Sequence, residues 1–447
     1  MPLTVSKLTV SKLTVLKQTA PKLMTVGILA GALALTTAPV RSADTVSPND
    51  TARFLAGMPP ASGSPLAALA SMPAFTEQQH AFNSIFEQED KNTLSKVRAF
   101  SAAHLSHSHD TMLYMFSGPD FLYASSFFPH ASTYVFAGLE PVGDIPPLNN
   151  LPRGAVDQTL QNLRASTYTI LHLSFFITKN MRSQLSEGPV FGTLPVLYVF
   201  LARTGKTLHE ASFVSLDSEG NFIAPNDAGK HADGEITHGL KIVFSDGSGP
   251  NQTLYYFSTD LSDNGVKRTG FLAFCAKLGT ADSFVKSASY LMHSGGFNTV
   301  RSFLLDHSGT VLQDDSGIPV AYFDHKKWEL EPFGHYLPPL GIFPHSFQPE
   351  MAALFRKASP LDFGIGYRWR QNESNLLLAE RTADTQTASI NPSLTTSTDG
   401  TQSIAVGSPD TPSWAKTRPR VAAEEPRRAP LPPRPESQNR TFFPFWR

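Results

Sequence analysis

One segment, TMLYMFSGPDFLYASSFFPHASTYVFAG at residues 111–138, constrains the fold more than any other part of the chain. Its ends, TMLYMF (111–116) and TYVFAG (133–138), are short apolar runs without polar alternation, and they read as strands buried on both faces. Between them the period changes to that of a helix. Ser117 suits the cap, Pro119 the first turn and Asp120 the positive end of the helix dipole, while Phe121, Leu122, Ser125 and Phe128 recur at helical spacing. A connection of this length between two strands makes a parallel βαβ unit.

The rest of the globular region extends this reading. Residues 75–100 carry a helical pattern with Phe82, Ile85, Phe86 and Leu94 on one side, and residues 155–185 form a long helix whose inner face is mostly apolar. LPVLYVFLARTG fits either a helix or a strand. Beyond Glu210 the turns DSEGN, SDGSGPN, DHSG and DDSG close antiparallel pairs, among them VRSFLLDHSGTVLQ, and ADSFVKSASYLMHSG reads as a helix between them. The expected fold is α/β, a mixed sheet with an N-terminal βαβ portion and a C-terminal antiparallel, hairpin-rich portion.

The two ends of the chain differ from this middle. Lys7, Lys12, Lys17 and Lys22 precede an uncharged stretch from Leu23 to Val40, so residues 1–43 read as a signal peptide and the protein as periplasmic or secreted. If that segment is not cleaved it becomes a signal anchor in the inner membrane, the one route to a membrane association. Residues 44–73, rich in Pro, Ala, Ser and Gly, read as a flexible leader with room for one short helix, and 74–382 as the globular domain. Residues 383–447 are polar and then rich in Pro and Arg, too poor in apolar residues to offset the entropy of ordering, and read as disordered.

Charge narrows the partners. Without residues 1–43 the chain holds 32 basic and 38 acidic residues, a charge of −6, and the last 37 residues carry eight Lys or Arg against three Glu. The body is therefore acidic, which argues against nucleic acid as a partner, and the basic Pro-rich tail is the part that would meet a cell-envelope component. A single cysteine, Cys275, cannot form an internal disulfide and sits in an apolar context, GFLAFCAKLG, as a buried small hydrophobe does.

Two constellations carry candidate chemistry. The βαβ unit puts Gly118 and Asp120 at a helix N-terminus and Glu140 past the second strand, 22 residues beyond Gly118. In outline this resembles the first βαβ of Rossmann-like proteins, including methyltransferases, in which an acid after the second strand holds a ribose. Only one glycine is present, however, and Pro119 removes a backbone donor that a phosphate would need. An exported chain would also not meet soluble adenosylmethionine or NAD. Without the nucleotide, Asp120 and Glu140 are candidate paired catalytic carboxylates of a hydrolase acting on a glycan or another polymer.

The second constellation is HLSHSHD at 104–110, where His104, His107, His109 and Asp110 are candidate metal ligands. His104 and His107 share a face if the chain is helical, His107 and His109 if it is extended, and Asp110 is a third ligand or an outer acceptor. With no thiolate nearby, Zn²⁺ leads the metals such a site would take, beside Cu²⁺ and Ni²⁺. The opposing reading is a solvated connection between helix and strand. Trp328, Tyr336 and Trp369, in a Pro- and aromatic-rich segment, read as packing or as the platforms of an aromatic cleft. Taken together, the residues suggest an exported binding or structural protein of the envelope, with the hydrolase as its alternative.

Overall fold

Thr111–Met115 (β1) and Thr133–Gly138 (β2) are parallel neighbours, joined through the helix Phe121–Phe127. They lie at the centre of the chain's computed structural model, which describes residues 46–382 apart from 106–107, 174–189, 224–235, 248, 342 and 344. The expected signal segment and tail, 1–43 and 383–447, lie outside those residues.

Seven further strands complete the sheet: Lys206–Leu216 (β3), Thr237–Asp246 (β4), Asn251–Ser258 (β5), Ala281–Val285 (β6), Ser308–Gln313 (β7), Trp328–Gly334 (β8) and Asn375–Arg381 (β9). Their order is β3-β4-β5-β2-β1-β6-β7-β9-β8. The central run from β5 to β7 is parallel, and both ends are antiparallel. The sheet is thus mixed, as the turn chemistry implied. The C-terminal portion is less purely antiparallel than expected, because β5, β6 and β7 join the parallel core. After β1 the chain goes to β2 and β5 on one side and returns to β6 and β7 on the other. The strand order therefore reverses beside β1, and such a reversal opens a crevice at the carboxyl edge of the sheet.

The absence of alternation in β1 has a direct cause. Met112 and Tyr114 face one apolar cluster, Leu113 and Met115 face another, and all four are buried. The first cluster is covered by Pro48–Leu55 (α1), Pro73–Glu89 (α2), Ser95–His104 (α3), Phe121–Phe127 (α4), Arg153–Leu173 (α5) and Leu194–Arg203 (α6). The second is covered by Phe271–Lys277 (α7) and Asn298–His307 (α8). Cys275 on α7 is buried in it, and burial pushes its thiol pKa up, away from thiolate reactivity.

Three segments differ from expectation. The stretch 44–73 is not a flexible leader throughout: α1 is capped by Ser47, buries Ala52, Phe54 and Leu55, and packs on α6 and β3. Phe54 stacks on Phe75 with ring centroids 5.0 Å apart, and Arg203 Nε donates to the Ala56 carbonyl at 2.8 Å. ADSFVKSASYLMHSG begins with strand β6, buried on both faces between β1 and β7, where strand pairing overrides its helical spacing. VRSFLLDH belongs to α8, since Val300, Phe303 and Leu304 at i, i+3, i+4 pack on the second cluster. Among the described residues no helix is long and apolar enough to cross a membrane.

Candidate functional site

The chain segments that leave β1, β2, β5 and β6 at their carboxyl ends converge on one crevice. Its walls are Phe116–Gly118, Gly138–Glu140, Thr259–Leu261 and Lys286–Ser289, with Leu291 and Phe297 behind them, around a cavity of about 140 Å³.

The backbone of these walls is strained. Four non-glycine residues among those described take left-handed φ: Phe116 (61°), Ser287 (54°), Ser289 (51°) and Tyr290 (54°). Three of them line the crevice and the fourth follows Ser289. Each costs about 1–3 kcal/mol and persists only where its surroundings hold it. The restraints are visible: Ser117 N–H donates to the Ala137 carbonyl at 2.9 Å, Ser287 N–H to Asp314 Oδ2 at 2.8 Å and Ala288 N–H to Ser316 Oγ at 2.7 Å. The Tyr290 hydroxyl donates to Asp315 Oδ2 at 2.7 Å. Asp314 and Asp315 are adjacent and buried. Desolvation holds both carboxyls above the usual carboxylate range, and the Asp315 charge adds to the shift at Asp314.

Glu140 forms the wall beyond β2. Its side chain folds back over Gly138, where an added Cβ would meet the carboxylate and force it to move. Tyr256, buried on β5, donates its hydroxyl to the Glu140 carbonyl at 2.8 Å, and burial with the neighbouring Glu140 charge keeps that phenol protonated. Thr259 follows on the same side. Its N–H donates to the Gly138 carbonyl at 2.8 Å, but its hydroxyl oxygen, on a residue only 6% exposed, has no partner among the described residues.

Below the crevice lies a dry ion pair. Lys286 Nζ is 2.7 Å from Asp120 Oδ2, with both side chains 2% exposed, and lies 3.8 Å from the Tyr123 ring centroid. Asp120 caps α4 through the Tyr123 N–H and accepts the Tyr114 hydroxyl at 2.8 Å. Burial raises the Glu89 carboxyl, and the Lys286 charge partly reverses that rise. Of the two carboxylates singled out by sequence, Glu140 lines the crevice, whereas Asp120 is held by Lys286, Tyr114 and the helix end.

The HLSHSHD residues are spread over different surroundings. The His104 ring packs against Phe100 and Phe333, with centroids 4.6 and 4.7 Å away. His107 lies outside the described residues. His109 turns toward the sheet, where Nδ1 is 2.8 Å from Asp282 Oδ1 and its N–H donates to Oδ2 at 2.6 Å. The hydrogen bond to Asp282 raises the His109 pKa against the opposing effect of burial. Asp110 is exposed and its carbonyl accepts from Ser132 N–H at 2.8 Å. Among the described residues no group of three or more His, Cys, Asp or Glu is arranged to hold a metal ion. Trp328 is core, packed edge-on against Phe323 at 5.5 Å, and Trp369 is exposed under Arg370.

Comparison with protein-family models, curated proteins and solved structures found no match. The site therefore rests on its own geometry. Sequence reasoning reached Gly118, Asp120 and Glu140 through the βαβ pattern and missed Thr259, Lys286 and Ser287. Those three come from strands more than 100 residues away, and nothing local to them signals convergence on β1. Ser283 and Lys286 stand at S-x-x-K spacing, but the Ser283 hydroxyl is bonded to that of Ser308 at 2.7 Å and Lys286 to Asp120.

Proposed function

We propose that this chain is an exported binding protein whose α/β domain holds a small molecule in the crevice at the carboxyl edge of the sheet. The observation that carries the reading is the concentration of left-handed non-glycine residues at the crevice, Phe116, Ser287 and Ser289 on its walls and Tyr290 next to them. Strain of that kind is stored where function requires a particular backbone path, and the crevice is also where the strand order reverses. The volume of about 140 Å³ lies below the roughly 300–1,000 Å³ of sites for drug-sized ligands, which favours a compact one.

This reading is better supported than a hydrolase with Asp120 and Glu140 as acid and base, because Asp120 is engaged on three sides and does not line the crevice. Association with the envelope belongs to the same proposal and is assigned to the basic, Pro-rich tail. Export rests on the Lys-rich, then uncharged N-terminal segment.

The test is ligand-observed NMR with a library of small neutral, anionic and cationic compounds on the wild type and on Gly138→Ala, whose new methyl group displaces the Glu140 carboxylate. Binders that the variant loses are the expected result. Binders unaffected by Gly138→Ala would put the site elsewhere, and an absence of binders would leave a structural role.

A further inference from the structure

The crevice is mixed in chemistry. Its lining combines Glu140, Asp260 and the Thr259 hydroxyl with Leu139, 62% exposed, Leu261 and Phe297, whose ring meets Phe116 at 5.9 Å. An exposed leucine beside a buried carboxylate is an amphipathic surface, made for a ligand with an apolar face and polar edges.

The Thr259 hydroxyl points to the kind of polar edge. A buried hydroxyl left without a partner is destabilising, so its position on a cavity wall calls for a group that both accepts and donates. Glu140, which lines the same crevice, accepts only. A ligand hydroxyl satisfies both at once, by donating to the carboxylate and accepting from threonine.

The charges point to what the ligand lacks. Two wall residues, Glu140 and Asp260, are acidic, and the one cationic group, Lys286, is paired with Asp120 at 2.7 Å. Pro119 has no N–H to offer at the turn after β1, so the helix start is a poor cradle for an anion. A phosphate or carboxylate would meet repulsion from these carboxylates, with only neutral hydroxyls such as those of Thr259 and Ser287 to offset it.

We propose that the ligand is a single neutral sugar unit, with adjacent hydroxyls on Glu140 and Thr259 and its C–H face against Leu139. This rests on the crevice being the binding site and adds the ligand class. The volume of about 140 Å³ suits one ring and not a chain.

Isothermal titration of the full chain with glucose, galactose and N-acetylglucosamine, beside glucose 6-phosphate and adenosine, tests it. The expected result is one-to-one binding of at least one neutral sugar, weaker by about tenfold or more in Thr259→Val and in Glu140→Gln, and weaker by a similar factor for the phosphorylated sugar. Thr259→Val keeps the shape and removes an unpartnered hydroxyl, so it should fold at least as well as the wild type. Adenosine binding lost in Thr259→Val, with no sugar bound, would overturn the sugar class while leaving the crevice as the site. A sugar that binds equally well to Thr259→Val would overturn the assigned site. Failure of all five compounds to bind would overturn the inference, and the wider NMR library then decides whether the crevice binds anything.

Discussion

Replacing Lys286 by methionine keeps the length of the side chain and removes its ammonium. In the wild type that ammonium lies 2.7 Å from the Asp120 carboxylate with both side chains 2% exposed. At this separation the gross attraction, taken with an effective dielectric constant of about 20, is about 6 kcal/mol. Desolvation of the two ions costs several kcal/mol each, so the pair as a whole contributes little net stability. The single variant is a different matter, because it leaves Asp120 buried with two neutral donors, the Tyr114 hydroxyl and the Tyr123 N–H. The expected cost of Lys286→Met is about 3–5 kcal/mol.

Asp120→Asn should cost less, about 1–3 kcal/mol. Glu89 faces the same lysine, and Asp120 is one of the charges that disfavour its ionisation. With Asp120 neutral, Glu89 becomes the partner of Lys286. The sign of the pH dependence follows. The raised Glu89 carboxyl binds its proton more tightly folded than unfolded, so its contribution to stability is present at low pH and falls as pH rises through the raised value. In Asp120→Asn that raised value drops and the fall becomes shallower. Urea unfolding followed by circular dichroism, on the two single variants and the double variant from pH 4 to 8, reads both effects. A cost below about 1 kcal/mol for Lys286→Met, or a larger cost for Asp120→Asn than for Lys286→Met, would refute the account.

Two further perturbations test other parts of the structure. His109→Gln should remove a pH dependence: the raised imidazole stabilises the fold fully below its ordinary value of 6.5, and that contribution is lost as pH rises through the higher folded value, so wild-type stability should decline there and the variant's should not. Parallel declines in both proteins would show that His109 and Asp282 are not its source. Phe54→Ala, at a side chain with no exposure that stacks on Phe75, should destabilise the domain by about 3–5 kcal/mol in thermal or urea unfolding, whereas a flexible leader would register no change.

Local sequence carried the centre of the fold because each signal there has a local cause. TMLYM and TYVFAG are apolar without alternation because both faces of the central strands are covered, and the helix between them was legible too, although its cap is Asp120 and not Ser117, with Pro119 just ahead of its first turn. The hairpin of β4 and β5 was legible for the same reason, in the SDGSGPN turn. Misreadings fell where spacing is ambiguous over a few residues. Phe284, Ala288, Leu291 and Met292 fit a helix in the sequence, but pairing with β1 and β7 settles the first five residues of that segment as a strand.

What the sequence determined by itself was the class of fold, the βαβ unit and two wall residues of the crevice, Gly118 after β1 and Glu140 after β2. Tertiary structure alone decided the rest. It inserted β1 between β2 and β6, and so brought Thr259, Lys286 and Ser287 to the carboxyl edge beside Glu140. It gave Asp120 a lysine partner and set His104 and His109 in different surroundings, packing His104 against aromatic rings and turning His109 toward Asp282. The physical reason is that strand and helix signals arise from a residue's near neighbours in the chain, whereas the pairing of β1 with β6, of β2 with β5 and of Asp120 with Lys286 arises from contacts between segments more than 100 residues apart.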